Sequence, residues 1–263
     1  MCLGSARAMT ESSEAEGFYQ VREEAPDILL LANLGIQQIG ILGIDRITRL
    51  VEKIHADGLC IHLNNLMELM QNEKRQQSFQ NIWHALRCLA NLYSERLIVK
   101  EVGCGISREV AKKLADLGVQ NIDVAGSGGT CWTRAELYRM KGMPAGMSEF
   151  IEWGIPTAAS LCDVRNLHLH VIASGGIWSG LDVAKALSLG AHMASAALPF
   201  ARAAATGISK LEEVFEEIAS GLRIAMVLTG SCSVNELRRA RIVLTGPLFE
   251  WHKQMNDIEH IPA

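Results

Sequence analysis

The sequence predicts an α/β fold of the TIM (β/α)8 barrel type, incomplete at seven of eight strands. Three observations carry that reading. Short β-rich runs alternate with amphipathic helical stretches, which means a parallel sheet. Polar residues and glycines stand at the C-terminal end of run after run, as they do where every strand end faces one site. The runs number seven, and a closed barrel of this type needs eight.

The first run is MCLGSAR (1–7), followed by ILLLANLG (28–35), GLCIHLN (58–64) and RLIVKEVG (96–103). NIDVAG (121–126), LHVIASGG (169–176) and HMASAALPF (192–200) complete the set. Between them DRITRLVEKIHA, SREVAKKLADLG and SGLDVAKALSLG read as helices. In the second of these, Leu114 and Leu117 share a face with Val110. Gly118 and Gly190 stand where a left-handed C-cap favours glycine. PTAASLCDV (156–164) fits a strand or a helix opening at Pro156. The glutamine-rich stretch 72–81 reads as a solvated loop entering a helix.

Six prolines and no low-complexity linker in 263 residues predict a single domain, 1–263. A net charge of -4 argues against generic nucleic-acid binding. No apolar run reaches the roughly 18 residues of a membrane span, and the N-terminus lacks the basic and apolar regions of a signal peptide. Seven scattered cysteines without a CxxC pair fit reduced thiols in a cytoplasm and no zinc site.

The glycine pair in IASGGIWSG (172–180) ends a buried run and precedes a helix. Glycine lets the backbone come close to an anion and aim N–H groups at it, and the helix adds its positive end. The same pair also serves as a plain strand-to-helix turn. A second glycine loop, AGSGGT (125–130), favours the phosphate or flavin reading. Lys100 ends an apolar run and must meet something negative or polar, or else forms a structural pair with Glu101 or is an exposed edge lysine. His62 and Asn64 share a strand face, with Glu68 about one turn on, and read equally as a site or as a satisfied core group. Nothing near Cys104 or Cys131 suggests a base, so both read as passengers.

Taken together, GSAR (4–7), ANLG (32–35), IHLN with Glu68, IVKEVGCGIS (98–107) and IDVAGSGGTCW (122–132) resemble the type 2 isopentenyl diphosphate isomerase family. WGIPTAASL (153–161), ASGGIWSGLDVAKALSLGA (173–191) and MVLTGSCSVNELR (226–238) extend that resemblance over nearly the whole chain. It implies interconversion of isopentenyl and dimethylallyl diphosphate, with reduced FMN, Mg²⁺, and NADPH as reductant. It implies a homo-oligomer acting on a small isoprenoid diphosphate, with no nucleic acid and no membrane. Asn33, Lys100 and Thr130 would contact the flavin, and Gly175, Gly176, Ile177, Ala197 and Leu198 would hold its phosphate. Ser5, Arg7, His62 and Asn64 would face the diphosphate, Trp132 would line the isoprenoid pocket, and Glu68 would bind Mg²⁺.

The departures are specific. Met67 stands where the family carries Gln before the metal-binding Glu, Ala6 stands for Gln, and Ile177-Trp178 follows the glycine pair where the family has Ile-Arg. The family's N-terminal diphosphate segment and first strand would precede MCLGS, so the resemblance predicts a truncated barrel with impaired activity. The alternatives are a non-catalytic remnant binding FMN or a partner protein, and a related FMN barrel enzyme with another substrate.

Overall fold

A computed structural model describes residues 1–70, 79–139 and 146–258. Six strands run in chain order: β1 (Leu31–Gly35), β2 (Gly58–His62), β3 (Leu97–Lys100), β4 (Asn121–Asp123), β5 (His170–Ala173) and β6 (Met193–Ala194). They form one sheet in that same order, each strand beside the next. Helices α1 (Arg7–Glu11), α2 (Ile36–Leu42), α3 (Ile44–Lys53), α4 (Asn65–Met70) and α5 (Phe79–Tyr93) belong to the first half. Next come α6 (Arg108–Asp116), α7 (Trp132–Arg139), α8 (Thr157–Val164), α9 (Gly180–Ser188) and α10 (Leu198–Thr206). The last are α11 (Ile208–Leu228), α12 (Val234–Leu237) and α13 (Gly246–Ile258). The chain divides into two compact units, Met1–Glu101 with Lys112–Ile122, and Val102–Ala111 with Asp123–Ala263.

In the first unit β1, β2 and β3 pair in parallel, with Gly35 opposite His62 and His62 opposite Lys100. Successive residues of β1 and β2 are buried on both faces, as in a parallel sheet covered by helices. Leu30, Leu34, Leu59, Ile61 and Leu97 make the strand side of this core, and Ile39, Ile47, Leu86 and Leu89 come from helices. Gly58 lets the backbone pass close to Arg96, because a Cβ there would lie 2.4 Å from the Arg96 carbonyl oxygen. The predicted N-terminal strand is a single parallel bridge, Cys2 to Leu31, supported by Leu31 N–H to Met1 O at 2.9 Å and Leu3 N–H to Leu31 O at 3.0 Å.

In the second unit β5 and β6 pair in parallel, Ile172 with Met193 and Ala173 with Ala194. The run 192–200 supplies two strand residues, not a full strand. Pro199 sits in the first turn of α10 and an alanine-rich stretch follows, so the chain turns helical at once. Residues 157–164 are helical, which settles the open choice at 156–164: Pro156 accepts from Ser160 N–H at 2.9 Å and opens α8. α9 starts with a capping box in which Ser179 and Asp182 satisfy each other's backbone N–H. It packs against α11 where Gly180 meets Gly221, and a Cβ on Gly180 would lie 2.2 Å from Ile218 O. Gly118 and Gly190 take positive φ at helix ends, as the C-cap pattern predicts. Leu114 and Leu117 are buried, but Val110 is exposed, so the predicted shared face stops short of it. Most of the 72–81 stretch lies outside the described residues.

Candidate functional site

The first unit collects polar side chains at the C-terminal ends of β1, β2 and β3. The segment Ser5–Arg7 lies against β1 through Ala6 N–H to Asn33 O at 2.7 Å. Asn33 then sets a chain of hydrogen bonds. Its Nδ2 donates to Leu3 O at 2.9 Å, which leaves Oδ1 as an acceptor toward His62 Nδ1 at 2.9 Å. Nδ1 therefore carries the proton, and Nε2 holds a bare lone pair. Burial, helped by the Lys100 charge, pushes the imidazole down to about 4. His62 is thus neutral at pH 7.

Lys100 is half-buried, and its ammonium donates to the Glu101 carbonyl oxygen. Arg7 Nε pairs with Glu11 at 2.9 Å one turn on, and the Ser5 carbonyl accepts from the Tyr19 hydroxyl at 2.6 Å. Among the described residues Asn64 Oδ1 is buried without a hydrogen-bond partner. Such an orphaned acceptor is costly and marks a place for a donor. Met67 is 5% exposed on α4. Glu68 lies on the same helix, and its side chain is outside the described residues. Gln38 escaped the sequence reading: it is buried on α2, and its Oε1 fills the space over Gly35, where a Cβ would meet Oε1 at 2.2 Å and His62 Nε2 at 3.1 Å.

The second unit builds its site from two interlocked glycine loops. Gly175 (φ +90°) and Gly176 (φ +83°) are left-handed, and Cβ atoms there would lie 2.1 Å from Gly126 O and 2.7 Å from Gly128 O. No other residue fits either position. Asp123, another residue missed from sequence, ties the loops together. Its Oδ1 accepts from Ser174 Oγ at 2.7 Å and from Ala125 N–H at 3.1 Å. The Thr157 hydroxyl sits 2.5 Å from Gly175 O. Among the described residues the N–H groups of Gly175, Gly176 and Ile177 meet no acceptor. Ser195 N–H to Ala173 O at 2.8 Å carries the β5–β6 pairing onward, so Ala197 and Leu198, at the start of α10, leave the sheet beside that loop. Thr130 is exposed next to the first glycine loop, and Trp132 is 54% exposed at the start of α7. Cys131 Sγ accepts from Arg134 N–H at 3.4 Å, so this thiol serves the start of α7.

Residues 42–244 match the family described as FMN-dependent dehydrogenase. An isopentenyl-diphosphate delta-isomerase of Archaeoglobus fulgidus is 43% identical over 255 residues, covering 95% of this chain and 73% of that protein. The isomerases of Pyrococcus abyssi (40%, covering 97% and 71%) and Methanothrix thermoacetophila (42%, covering 93% and 69%) are similar to it at the same level. The chain belongs to the type 2, FMN-dependent isopentenyl-diphosphate isomerase family. The inosine 5'-monophosphate dehydrogenase of Legionella pneumophila matches in fold at TM-score 0.57 and 16% identity, over 89% of this chain and 77% of that one. The fold is accordingly of the TIM-barrel type.

For a member of this isomerase family the loops fit the phosphate end of FMN. Three consecutive N–H groups without acceptors on a left-handed glycine pair form an anion-binding concavity, and a helix N-terminus stands beside it. Among the described residues no group of three or more His, Cys, Asp or Glu side chains is placed to hold a metal. No helix among them is long and apolar enough to cross a membrane.

Proposed function

We propose that this chain interconverts isopentenyl and dimethylallyl diphosphate, using reduced FMN and Mg²⁺, with NADPH supplying the reducing equivalents. The observation that carries the reading is the row of unengaged N–H groups at Gly175–Ile177, in a chain 43% identical to a named isomerase over 95% of its length. In the second unit Gly175, Gly176, Ile177, Ala197 and Leu198 hold the flavin phosphate through main chain, Thr130 contacts the ring, and Trp132 offers an apolar wall to the isoprenoid tail. In the first unit Asn33 and Lys100 contact the flavin, and Ser5, Arg7, His62 and Asn64 face the diphosphate. Glu68 is the carboxylate for Mg²⁺. Reduced FMN supplies an electron-rich ring, and the double-bond shift leaves no net redox change. The protein's task is to orient the diphosphate and keep water away from the reacting carbons. Seven scattered cysteines without a CxxC pair suit a cytoplasmic protein, and a homo-oligomeric assembly accompanies the family reading.

The test is an anaerobic assay of the purified chain with isopentenyl diphosphate, Mg²⁺ and chemically reduced FMN, with the product quantified by chromatography. Dimethylallyl diphosphate formed in a flavin-dependent manner is the expected result. A chain that binds FMN but gives no product would favour the non-catalytic alternative, and a chain that binds none would overturn the reading altogether.

A further inference from the structure

Trp178 follows the glycine pair and is 44% exposed, with its N–H taken by Asp182 Oδ2 at 3.1 Å. An indole has no charge to offer a phosphate. A cation nevertheless lies over this ring: the guanidinium carbon of Arg202 is 5.9 Å from the Trp178 ring centroid. Arg202 belongs to α10, whose first residues leave β6 beside the 174–177 loop. Side chains on a helix lean toward its N-terminus, and the N-terminal end of α10 is the one that follows β6. Among the described residues its guanidinium makes no hydrogen bond and no ion pair. Its planar fork of donors is therefore unspent, next to the ring of Trp178, whose chain neighbour Ile177 carries the last of three backbone N–H groups that are also unspent among the described residues.

We propose that Arg202 is a phosphate-binding residue of the flavin site, held in position by a cation–π contact with Trp178. The inference rests on the reading that this loop takes the FMN phosphate. It adds a charged contact to a set otherwise made of main-chain N–H groups, and it assigns Trp178 a positioning role. A cation–π contact uses none of the guanidinium's hydrogen-bond donors, so the indole restrains Arg202 without neutralising it.

The experiment compares two ligands on the full apoprotein by fluorescence quenching and calorimetry: FMN, and riboflavin, which has the same ring and ribityl chain without phosphate. Arg202→Gln is expected to weaken FMN about tenfold, the scale of one partly exposed charge-assisted contact, and to leave riboflavin within about twofold. Trp178→Leu is expected to weaken FMN by less, with little further loss in the double variant, since both changes act through one contact. Circular dichroism of each variant checks folding. Equal weakening of FMN and riboflavin would assign Arg202 to the loop's structure and overturn the inference, as would unchanged FMN affinity. If the parent chain binds no FMN, the functional reading falls with it. If it binds FMN and Arg202→Gln does not matter, the inference alone falls.

Discussion

Replacing His62 by Gln should remove a large part of the acid sensitivity of this fold. The imidazole is 9% exposed and its Nδ1–H is committed to Asn33. Burial first, and the Lys100 charge second, lower it to about 4 from an ordinary 6.5. The sign follows from the lowered value. Below 6.5 the unfolded chain takes up a proton that the native chain refuses, so stability is full above 6.5 and is lost as pH falls toward 4. With those two values, the loss between pH 7 and pH 4.5 comes to about 2 kcal/mol. Glutamine keeps a carboxamide N–H for Asn33 and has no proton to gain. Urea unfolding at pH 7 and pH 4.5 should show the variant losing about 2 kcal/mol less than the parent over that interval, whatever the carboxylates contribute to both. Identical pH dependence in the two proteins would refute the neutral-histidine argument, and with it the assigned tautomer.

Three further outcomes follow from named contacts. Gly175→Ala puts a Cβ 2.1 Å from Gly126 O at φ +90°, so it should cost about 1–3 kcal/mol in thermal or urea unfolding and weaken FMN binding in a titration. Met67→Gln sets a polar amide in a buried place one residue before Glu68; isomerase turnover under saturating FMN and Mg²⁺ should rise, and an unchanged rate would show that Met67 is not limiting. Asp57→Asn removes a carboxylate that takes Leu30 N–H and the Arg22 guanidinium, both at 2.7 Å. The Asp57 carboxyl is held below its usual range by those two partners, so the parent gains stability above the ordinary aspartate range and loses it as pH falls. Asp57→Asn should flatten that slope in acid unfolding curves.

The strand–helix alternation was legible because it rests on periodicity, and the glycine loops because few residues adopt positive φ. β6 was overread, since HMASAALPF has the apolar content of a strand while Pro199 and the alanines after it favour helix. Asp123 left a signal that went unused: a carboxylate inside the apolar run NIDVAG is costly unless it has partners, and here it clamps Ser174 and Ala125. Gln38 left almost none. It lies in IQQIG between Ile36 and Ile39, where a glutamine reads as surface, and its burial depends on the missing Cβ of Gly35. The charge state of His62 was beyond the sequence for a similar reason. The motif HLN names the imidazole but not the proton on it; that follows from which Asn33 atom Leu3 engages, a contact made across 30 residues of chain. Residue types at strand ends thus point to candidate ligand-binding positions, whereas the protonation and reach of each group depend on partners brought in by the fold. A diphosphate arriving beside a neutral His62 meets an acceptor at Nε2, not a donor. The predicted contact to that ligand therefore requires the histidine to gain a proton as the anion binds, which couples affinity to pH in the direction opposite to stability: acid strengthens binding while it weakens the fold.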